Sequence, residues 1–508
     1  MSGAGAAAPP ALLNQVLPRL AGAGNQLTCI RGGRRVRVPF RELAGPVAAF
    51  RALLARHGLR AGDRVGVLAA NSYEFIALDL ACLASGLVVV PFDTAYPDDA
   101  PGLARDLGVK RVFTDEERLL DAGAGVLRLE VPGPAEGGAP PAPPHAFGPD
   151  EAVTIKFTSG STKRPKAMAA RRMGIDASLW AVQEMFAHGP GDTVLVFLPL
   201  YLLQQRYWIY SAVLFGYDLV VVPAHHGAAA LAMERPTVVM GVPEFYDRLM
   251  AALREELGDE PAPGEVAAAL GGRVRYLWTG SAAMRRDTLE FFARHGVPLF
   301  QGYGTNETCI VSKNRAGHDR LGSAGRVLPH KEVMVEDDGH LLVRSRYPLA
   351  DGYLLADADD AGGTFLPGGV VATGDLGYLD GDGYLFITGR RKDLVVLPSG
   401  RKLHPSVIED RIRAAPGVRN CMVYGVDRPC LVALVDAPGL DDEAVDAAVA
   451  AANRGLPPDA HVRAARRVPE GFTRENGLLT SQYKLKRPEI ARRFAAELLQ
   501  LYQETGAR

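Results

Sequence analysis

Residues 64–92 read RVGVLAANSYEFIALDLACLASGLVVVPF, and the fold class is decided there. RVGVLAA is an apolar run of strand length, and NSYEFIALDLACLASG is long enough for a helix, with Asn71 and Glu74 spaced as a capping box. LVVVPF is a second strand. Strand, helix and strand in this order make a βαβ unit, and right-handed crossovers of this kind build parallel sheets covered by helices on both faces. Outward from this stretch, VTIKF at 153, TVLVFLP at 193, LVVVP at 219, TVVMGVP at 237 and RVRYLWTG at 273 repeat the strand pattern, several followed by helical segments. The class is α/β. GDLGYLDGDGYLFITGRRKD, from Gly374, is instead rich in Gly and Asp turns and predicts small antiparallel hairpins, after which something compact and separate is expected.

The 508 residues carry 57 Lys and Arg against 58 Asp and Glu, so no basic excess directs the chain to nucleic acid or to an anionic membrane surface. That length predicts more than one domain. The five cysteines, Cys29, Cys82, Cys309, Cys421 and Cys430, are scattered and never spaced as CxxC, which argues against a zinc knuckle or a disulfide framework. The N-terminal MSGAGAAAPPALLNQ has no basic region and is interrupted by two prolines, unlike a signal peptide. The longest apolar run, about Leu80 to Phe92, is too short to cross a bilayer. Pro- and Gly-rich residues 131–150 read as a surface loop. A cytoplasmic protein acting on small molecules, without nucleic-acid or membrane partners, is expected.

Past the end of VTIKF comes TSGSTKRPKA, residues 158–167, where α/β sheets hold ligands. Backbone N–H groups around Gly160 and the hydroxyls of Ser159, Ser161 and Thr162 can surround phosphate oxygens, and Lys166 adds positive charge. A serine-rich surface turn has the same composition, so this loop alone does not decide. It is followed in order by QGYGTNET at 301–308, TGDLGY at 373–378, GRRKD at 389–393, PSGRKLHPSVIE at 398–409 and LLTSQYKLKR at 478–487. With these motifs the chain, from about Leu53 to Arg487, resembles the adenylate-forming superfamily, which contains acyl-CoA ligases, luciferases and the adenylation domains of peptide synthetases.

The resemblance implies a large N-terminal domain of parallel-rich sheets and helices, residues 1–391, and a small mobile α+β C-terminal domain, residues 392–508. It also implies two half-reactions. A carboxylate attacks the α-phosphate of ATP and expels pyrophosphate; a thiol then attacks the acyl-AMP carbonyl and releases AMP. Carried over position by position, Thr158, Ser159, Gly160, Ser161, Thr162 and Lys166 would cover the β- and γ-phosphates, and Glu307 with Thr162 would hold Mg²⁺. Tyr303 would stack on adenine, with Gly280, Ser281 and Ala282 lining the same pocket and Gly302, Gly304, Thr305 and Asn306 completing the motif around it. Asp375 would accept hydrogen bonds from the ribose hydroxyls, assisted by Arg390. Lys484 would be the mobile lysine that reaches the α-phosphate and the substrate carboxylate; Lys486 competes for that role, but the K-x-x-R spacing to Arg487 favours Lys484. Lys392 falls at the hinge. Ser399 and Gly400 lie in a stretch resembling the pantetheine-passage loop, which makes CoA the expected thiol, with a carrier protein as the alternative.

Residues 198–213, LPLYLLQQRYWIYSAV, align with the segment that lines the acyl pocket in the family, with Leu202 in place of a common histidine. Tyr201, Leu202, Leu203, Tyr207, Trp208 and Tyr210 would form an apolar, aromatic wall suited to a bulky hydrophobic acid, although core packing explains the same residues equally well. Arg206 either orients a substrate oxygen or forms an internal salt bridge. No aspartate in this stretch is available to pair with a substrate ammonium, so the acid is expected to lack an α-amine.

The phosphate loop departs from the family pattern. Lys163 and Ala167 stand where glycines are usual, and Asn306 replaces a threonine before Glu307. Glycine at the two loop positions would serve a positive φ or a close approach to phosphate. Adenylation is therefore expected to be weakened or lost, while transfer from an acyl-AMP, supplied by a separate adenylating enzyme, is retained. Two alternatives stand beside this: a complete ATP-dependent acid–CoA or carrier-protein ligase in which Lys163 meets the γ-phosphate, and a non-catalytic acyl-adenylate-binding paralogue.

Overall fold

A computed structural model describes residues 8–121, 125–133, 142–158, 165–282, 284–356, 363–397, 402–426, 428–480 and 483–505. The opening βαβ unit is present as the strand Arg64–Leu68, the helix Tyr73–Ser85 and the strand Val88–Pro91, with Val65 opposite Val89 in parallel register. Eleven of the helix's 13 residues are buried, so the helix is covered on every side, which is why its sequence shows no polar face. The capping expectation is corrected. Ser72 is the N-cap, its hydroxyl accepting from Phe75 N, while Asn71 serves the tertiary structure. The Asn71 side-chain amide donates to Leu198 O and Val222 O, and its oxygen accepts from Leu200 N, which ties the end of one sheet to loops leaving another.

Among the described residues two large sheets flank this helix. One has six strands in the order Val126–Arg128, Val109–Thr114, Arg64–Leu68, Val88–Pro91, Ala152–Thr158 and Lys166–Arg171, parallel except for the last pair. The other has nine, with parallel Asp218–Val221, Thr193–Val196, Val238–Gly241, Tyr276–Thr279 and Leu299–Thr305 at its centre. A buried polar network joins the layers. Arg206 Nη1 donates to Asp79 Oδ1 at 2.8 Å, its Nη2 donates to Thr154 Oγ1 at 2.8 Å, and the Tyr210 hydroxyl donates to Asp79 Oδ2 at 2.6 Å.

A third, antiparallel sheet contains Val370–Leu379 paired with Leu385–Arg390, so the Gly/Asp-rich stretch is the hairpin its turns predicted. The register sets Asp375 opposite Arg390. Beyond it the chain forms a smaller α+β unit with a three-stranded sheet, Asn420–Tyr424, Leu431–Asp436 and Val462–Arg467. Helices including Pro405–Arg413, Asp442–Asn453 and Ala495–Glu504 cover this sheet, and its apolar clusters are drawn from this part of the chain. The architecture is α/β, with a large N-terminal domain and a separate small C-terminal one. Among the described residues no helix is long and apolar enough to cross a membrane.

Candidate active site

The strand ends and the small unit enclose a cleft of about 3110 Å³. Thr158 ends one strand at its edge, and Met240 and Gly241, Trp278, and Gln301 to Thr305 reach it from the second sheet. This is the C-terminal edge at which α/β sheets present ligand-binding loops.

The motif QGYGTNET forms a hairpin from Leu299–Thr305 to Cys309–Lys313, with a register shift after Tyr303. Gly304 is required there, because a Cβ would lie 2.0 Å from the Cys309 carbonyl oxygen. Thr305 Oγ1 accepts from the backbone N–H of both Glu307 and Thr308, a tight turn that presents the Glu307 carboxylate to the cleft. The Tyr353 hydroxyl donates to Glu307 Oε1 at 2.7 Å, and Lys166 Nζ lies 5.1 Å from the centre of the Tyr353 ring. From behind, Lys156 Nζ donates to the Asn306 carbonyl at 2.9 Å, and Lys331 Nζ donates to the Thr308 carbonyl and the Ser345 hydroxyl. Burial, with the Lys156 charge adding, lowers the Lys331 pKa to about 8, although Cys309 opposes the shift.

Across the cleft the Asp375 carboxylate is held from two sides. Tyr303 Oη donates to Oδ2 and Arg390 Nε to Oδ1, both at 2.8 Å. Burial, and after it the Asp375 charge, raise the Tyr303 pKa, so the phenol stays a donor. Gly280, Ser281 and Ala282 line the same space, and Ser281 holds a left-handed backbone at φ 71°. Non-glycine residues pay for that conformation, a strain of the sort stored at binding sites.

Lys484 enters from the small domain. The Thr480 hydroxyl accepts from Lys484 N, Thr480 N donates back to the Lys484 carbonyl, and Tyr483 between them has φ 59°. Burial and the neighbouring Arg390 charge lower the Lys484 pKa to about 8; Lys392 adds to this, while Asp375 and Glu307 pull it back. One ammonium thus feels groups from each of the motifs at 301, 373 and 389. Lys486 is engaged elsewhere, bonded to the Tyr96 hydroxyl with its Nζ 4.4 Å from the centre of that ring, a contact between the two domains. Lys392 sits in the short turn Arg391–Asp393 at the cleft rim.

Tyr201, Leu202, Tyr207 and Trp208 line the cleft together with Ser178, Leu179 and Val182 of the helix Arg172–Phe186. Trp208 is fixed edge-on against Trp278, 5.7 Å between ring centres. Arg206 is a correction. It is 1% exposed, absent from the cleft wall and committed to Asp79 and Thr154, so of its two expected roles the structure displays the internal salt bridge. Tyr210 points into the same network. Ser159, Gly160, Ser161, Thr162, Lys163, Ser399 and Gly400 lie outside the described residues. Ala167, a departure from the family pattern, sits in an ordinary strand opposite Phe157, without a positive φ, so alanine fits there without backbone strain. Sequence reasoning missed Tyr353, Lys331 and Lys156; only the last left a signal, a lysine inside the apolar strand VTIKF.

Among the described residues no group of three or more His, Cys, Asp or Glu side chains is placed to hold a metal. A lone carboxylate such as Glu307 suits Mg²⁺, which keeps its waters and takes its other ligands from phosphate oxygens.

The chain is similar to known proteins along most of its length. The family described as AMP-binding enzyme matches residues 19–355, and the AMP-binding enzyme C-terminal domain matches residues 392–506. The chain is 27% identical to a long-chain-fatty-acid–CoA ligase of Mycobacterium bovis, over 91% of this chain and 92% of that protein. It is 28% identical to an indoleacetate–CoA ligase of Aromatoleum aromaticum, over 81% and 85% of the two. The crystal structure of an anthranilate CoA ligase in complex with anthranoyl-AMP superposes with a TM-score of 0.81 at 20% identity, covering 96% of this chain and 98% of that one, a likeness of fold.

Proposed function

The chain belongs to the AMP-binding enzyme family, and on that premise we propose that it is an acid–thiol ligase that makes the CoA thioester of a bulky hydrophobic carboxylic acid lacking an α-amine, through its acyl-adenylate. The observation that carries this reading is that Lys484 lines the same cleft as Asp375, Arg390 and Glu307, within electrostatic reach of all three.

In the adenylation step the acid's carboxylate oxygen attacks the α-phosphate and pyrophosphate leaves. Charge builds on that phosphate, and Lys484 is the cation that meets it. Asp375, braced by Tyr303 and Arg390, takes the ribose hydroxyls, and the Gly280–Ala282 turn lines the adenine side. Glu307, steadied by Tyr353, would hold the Mg²⁺ of the nucleotide, which neutralises phosphate charge when bound, with Thr162 as its partner in that role. In the second step the CoA sulfur attacks the acyl carbonyl and AMP departs. The domain beginning at Lys392 would turn about that residue between steps, withdrawing Lys484 and opening a path past Ser399 and Gly400.

Lys163 and Asn306 support a further element of the reading, that adenylation is weakened and the acyl-AMP comes from a separate enzyme in the cytoplasm. A complete ATP-dependent ligase, acting on CoA or a carrier protein, is the second reading, favoured by the linkage of Lys166, Tyr353 and Glu307, whose use is with triphosphate and metal. The test is pyrophosphate release from ATP and a panel of acids, run beside CoA-thioester formation from synthetic acyl-AMP. Robust pyrophosphate release overturns the weakened-adenylation element. Adenylate binding with no thioester from any acyl-AMP overturns the ligase reading in favour of a non-catalytic binder.

A further inference from the structure

The acyl wall carries a positive charge that no acid among the described residues answers. Lys156 is 6% exposed, lines the cleft and donates from Nζ to the Asn306 carbonyl. The same Nζ lies 3.9 Å from Cys309 Sγ, and that sulfur lies 3.4 Å from the Tyr207 hydroxyl, which fixes the ammonium beside the aromatic helix of the acid pocket. Lys331, half-buried, adds a second cation within electrostatic reach of both Lys156 and Cys309. Among the described residues neither lysine has a salt-bridge partner; their hydrogen bonds there run to carbonyls, a hydroxyl and the thiol. Arg206 and Arg390 are matched by Asp79 and Asp375, whereas Lys313, buried against the Trp278 ring, donates to the Phe300 carbonyl and, unlike Lys156, does not line the cleft.

A buried ammonium without a counter-charge is costly, because the desolvation it suffers is not repaid by a neighbouring anion. Its strand neighbours Ile155 and Phe157 are apolar, and a methionine would pack in the same place without that cost. A carbonyl and a thiol occupy only part of the three-donor capacity of an ammonium.

We propose that Lys156 is a specificity-determining residue that receives a second anionic oxygen of the substrate, so that the preferred acid is a bulky, mainly apolar acid bearing a further acidic group, a carboxylate foremost, on its body. This rests on the reading of the chain as an acid–thiol ligase and narrows its substrate class. Tyr207, whose hydroxyl meets the same Cys309 sulfur as Lys156, is the hydroxyl placed to share that oxygen.

The test uses the full-length protein and three acyl-AMPs, those of 3-phenylpropanoate, 3-(4-carboxyphenyl)propanoate and 3-(4-hydroxyphenyl)propanoate, with CoA as acceptor and kcat/KM as readout. The wild type should favour the carboxyphenyl over the phenyl compound by about 10-fold or more, the size expected when a buried charged group gains or lacks its partner. Lys156→Met and Lys156→Gln should bring that ratio to about 1 or below. Equilibrium binding of the matching acyl-sulfamoyl adenosines to the wild type reads the same preference without turnover or any variant. If Lys156 only braces the Asn306 carbonyl, the variants depress all three substrates alike and leave the ratio unchanged, which overturns the proposal. Equal use of the phenyl and carboxyphenyl compounds by the wild type also overturns it. Failure of every acyl-AMP to yield thioester counts against the ligase reading, while the binding ratio still reports on Lys156.

Discussion

The pKa of Lys484, lowered to about 8 by burial and by the Arg390 charge, makes adenylation sensitive to pH in a defined direction. Only the protonated amine can offset charge on the α-phosphate, so activity is present below the pKa and lost as pH rises through it. A group titrating at about 8 is protonated to roughly 90% at pH 7 and roughly 10% at pH 9. The kcat/KM for ATP- and acid-dependent pyrophosphate release, which reports the free enzyme, should therefore fall about tenfold between these values. Lys484→Arg keeps its charge throughout, because arginine does not deprotonate in this range, so the alkaline limb should disappear even if the longer side chain lowers the plateau. Lys484→Ala should cost roughly 10² to 10³ in adenylation, the usual effect of removing one preorganised charge facing a transition state. Thioester formation from supplied acyl-AMP should fall by far less, since the proposed domain rotation withdraws Lys484 in that step. The reasoning is refuted if wild-type pyrophosphate release is level from pH 7 to 9, or if Lys484→Ala depresses both half-reactions equally.

Lys163→Gly should raise the rate of pyrophosphate release if Lys163 obstructs the β- and γ-phosphates, and lower it if the lysine serves the γ-phosphate. Breaking the buried Arg206–Asp79 pair by Arg206→Met leaves an uncompensated carboxylate and should cost about 3–5 kcal/mol, seen as a lowered melting temperature of the large domain, with Asp79→Leu in addition restoring part of it. Lys486→Ala removes the ammonium from the Tyr96 hydroxyl and ring across the domain boundary; adenylation should drop severalfold while transfer from acyl-AMP holds or rises, as stopped-flow measurement of each half-reaction would report. Asp375→Asn should weaken AMP binding by about tenfold in calorimetry, because a carboxylate accepting from ribose hydroxyls makes the stronger, charge-assisted bonds.

The large-domain strands were legible because they are buried on both faces, and such strands are written as unbroken apolar runs. The helix Tyr73–Ser85 was legible by length, yet its cap was misplaced by one residue. Asn71 satisfies the local capping preference on paper, but three backbone groups from other parts of the fold claim its amide. Arg206 was ambiguous for a similar reason. Its partner Asp79 lies 127 positions away, and nothing local distinguishes a helix face turned to the core from one turned to the cleft. Glu307, Asp375 and Lys484 sit in dense, ordered motifs that a single chain displays. Tyr353 and Lys331 reach the site from segments with no motif at all, so only the folded arrangement reveals them.

That arrangement bears on whether the first half-reaction survives. A protein confined to acyl-AMP and CoA meets no pyrophosphate, and a carboxylate proposed to hold the metal of ATP would have little to do there. Yet Glu307 is oriented by a turn in which Thr305 Oγ1 accepts two backbone N–H groups, and Tyr353 fixes its carboxylate while lying against Lys166. Holding three side chains in one geometry costs rotamer entropy, and that cost is met here at the part of the cleft a triphosphate would occupy. The Ala167 departure is absorbed by ordinary strand backbone, which leaves Lys163 and the Asn306 amide as the changes that count against adenylation. The direction in which Lys163→Gly moves pyrophosphate release therefore decides between an enzyme that has ceded its first step and one that performs it with an extra cation.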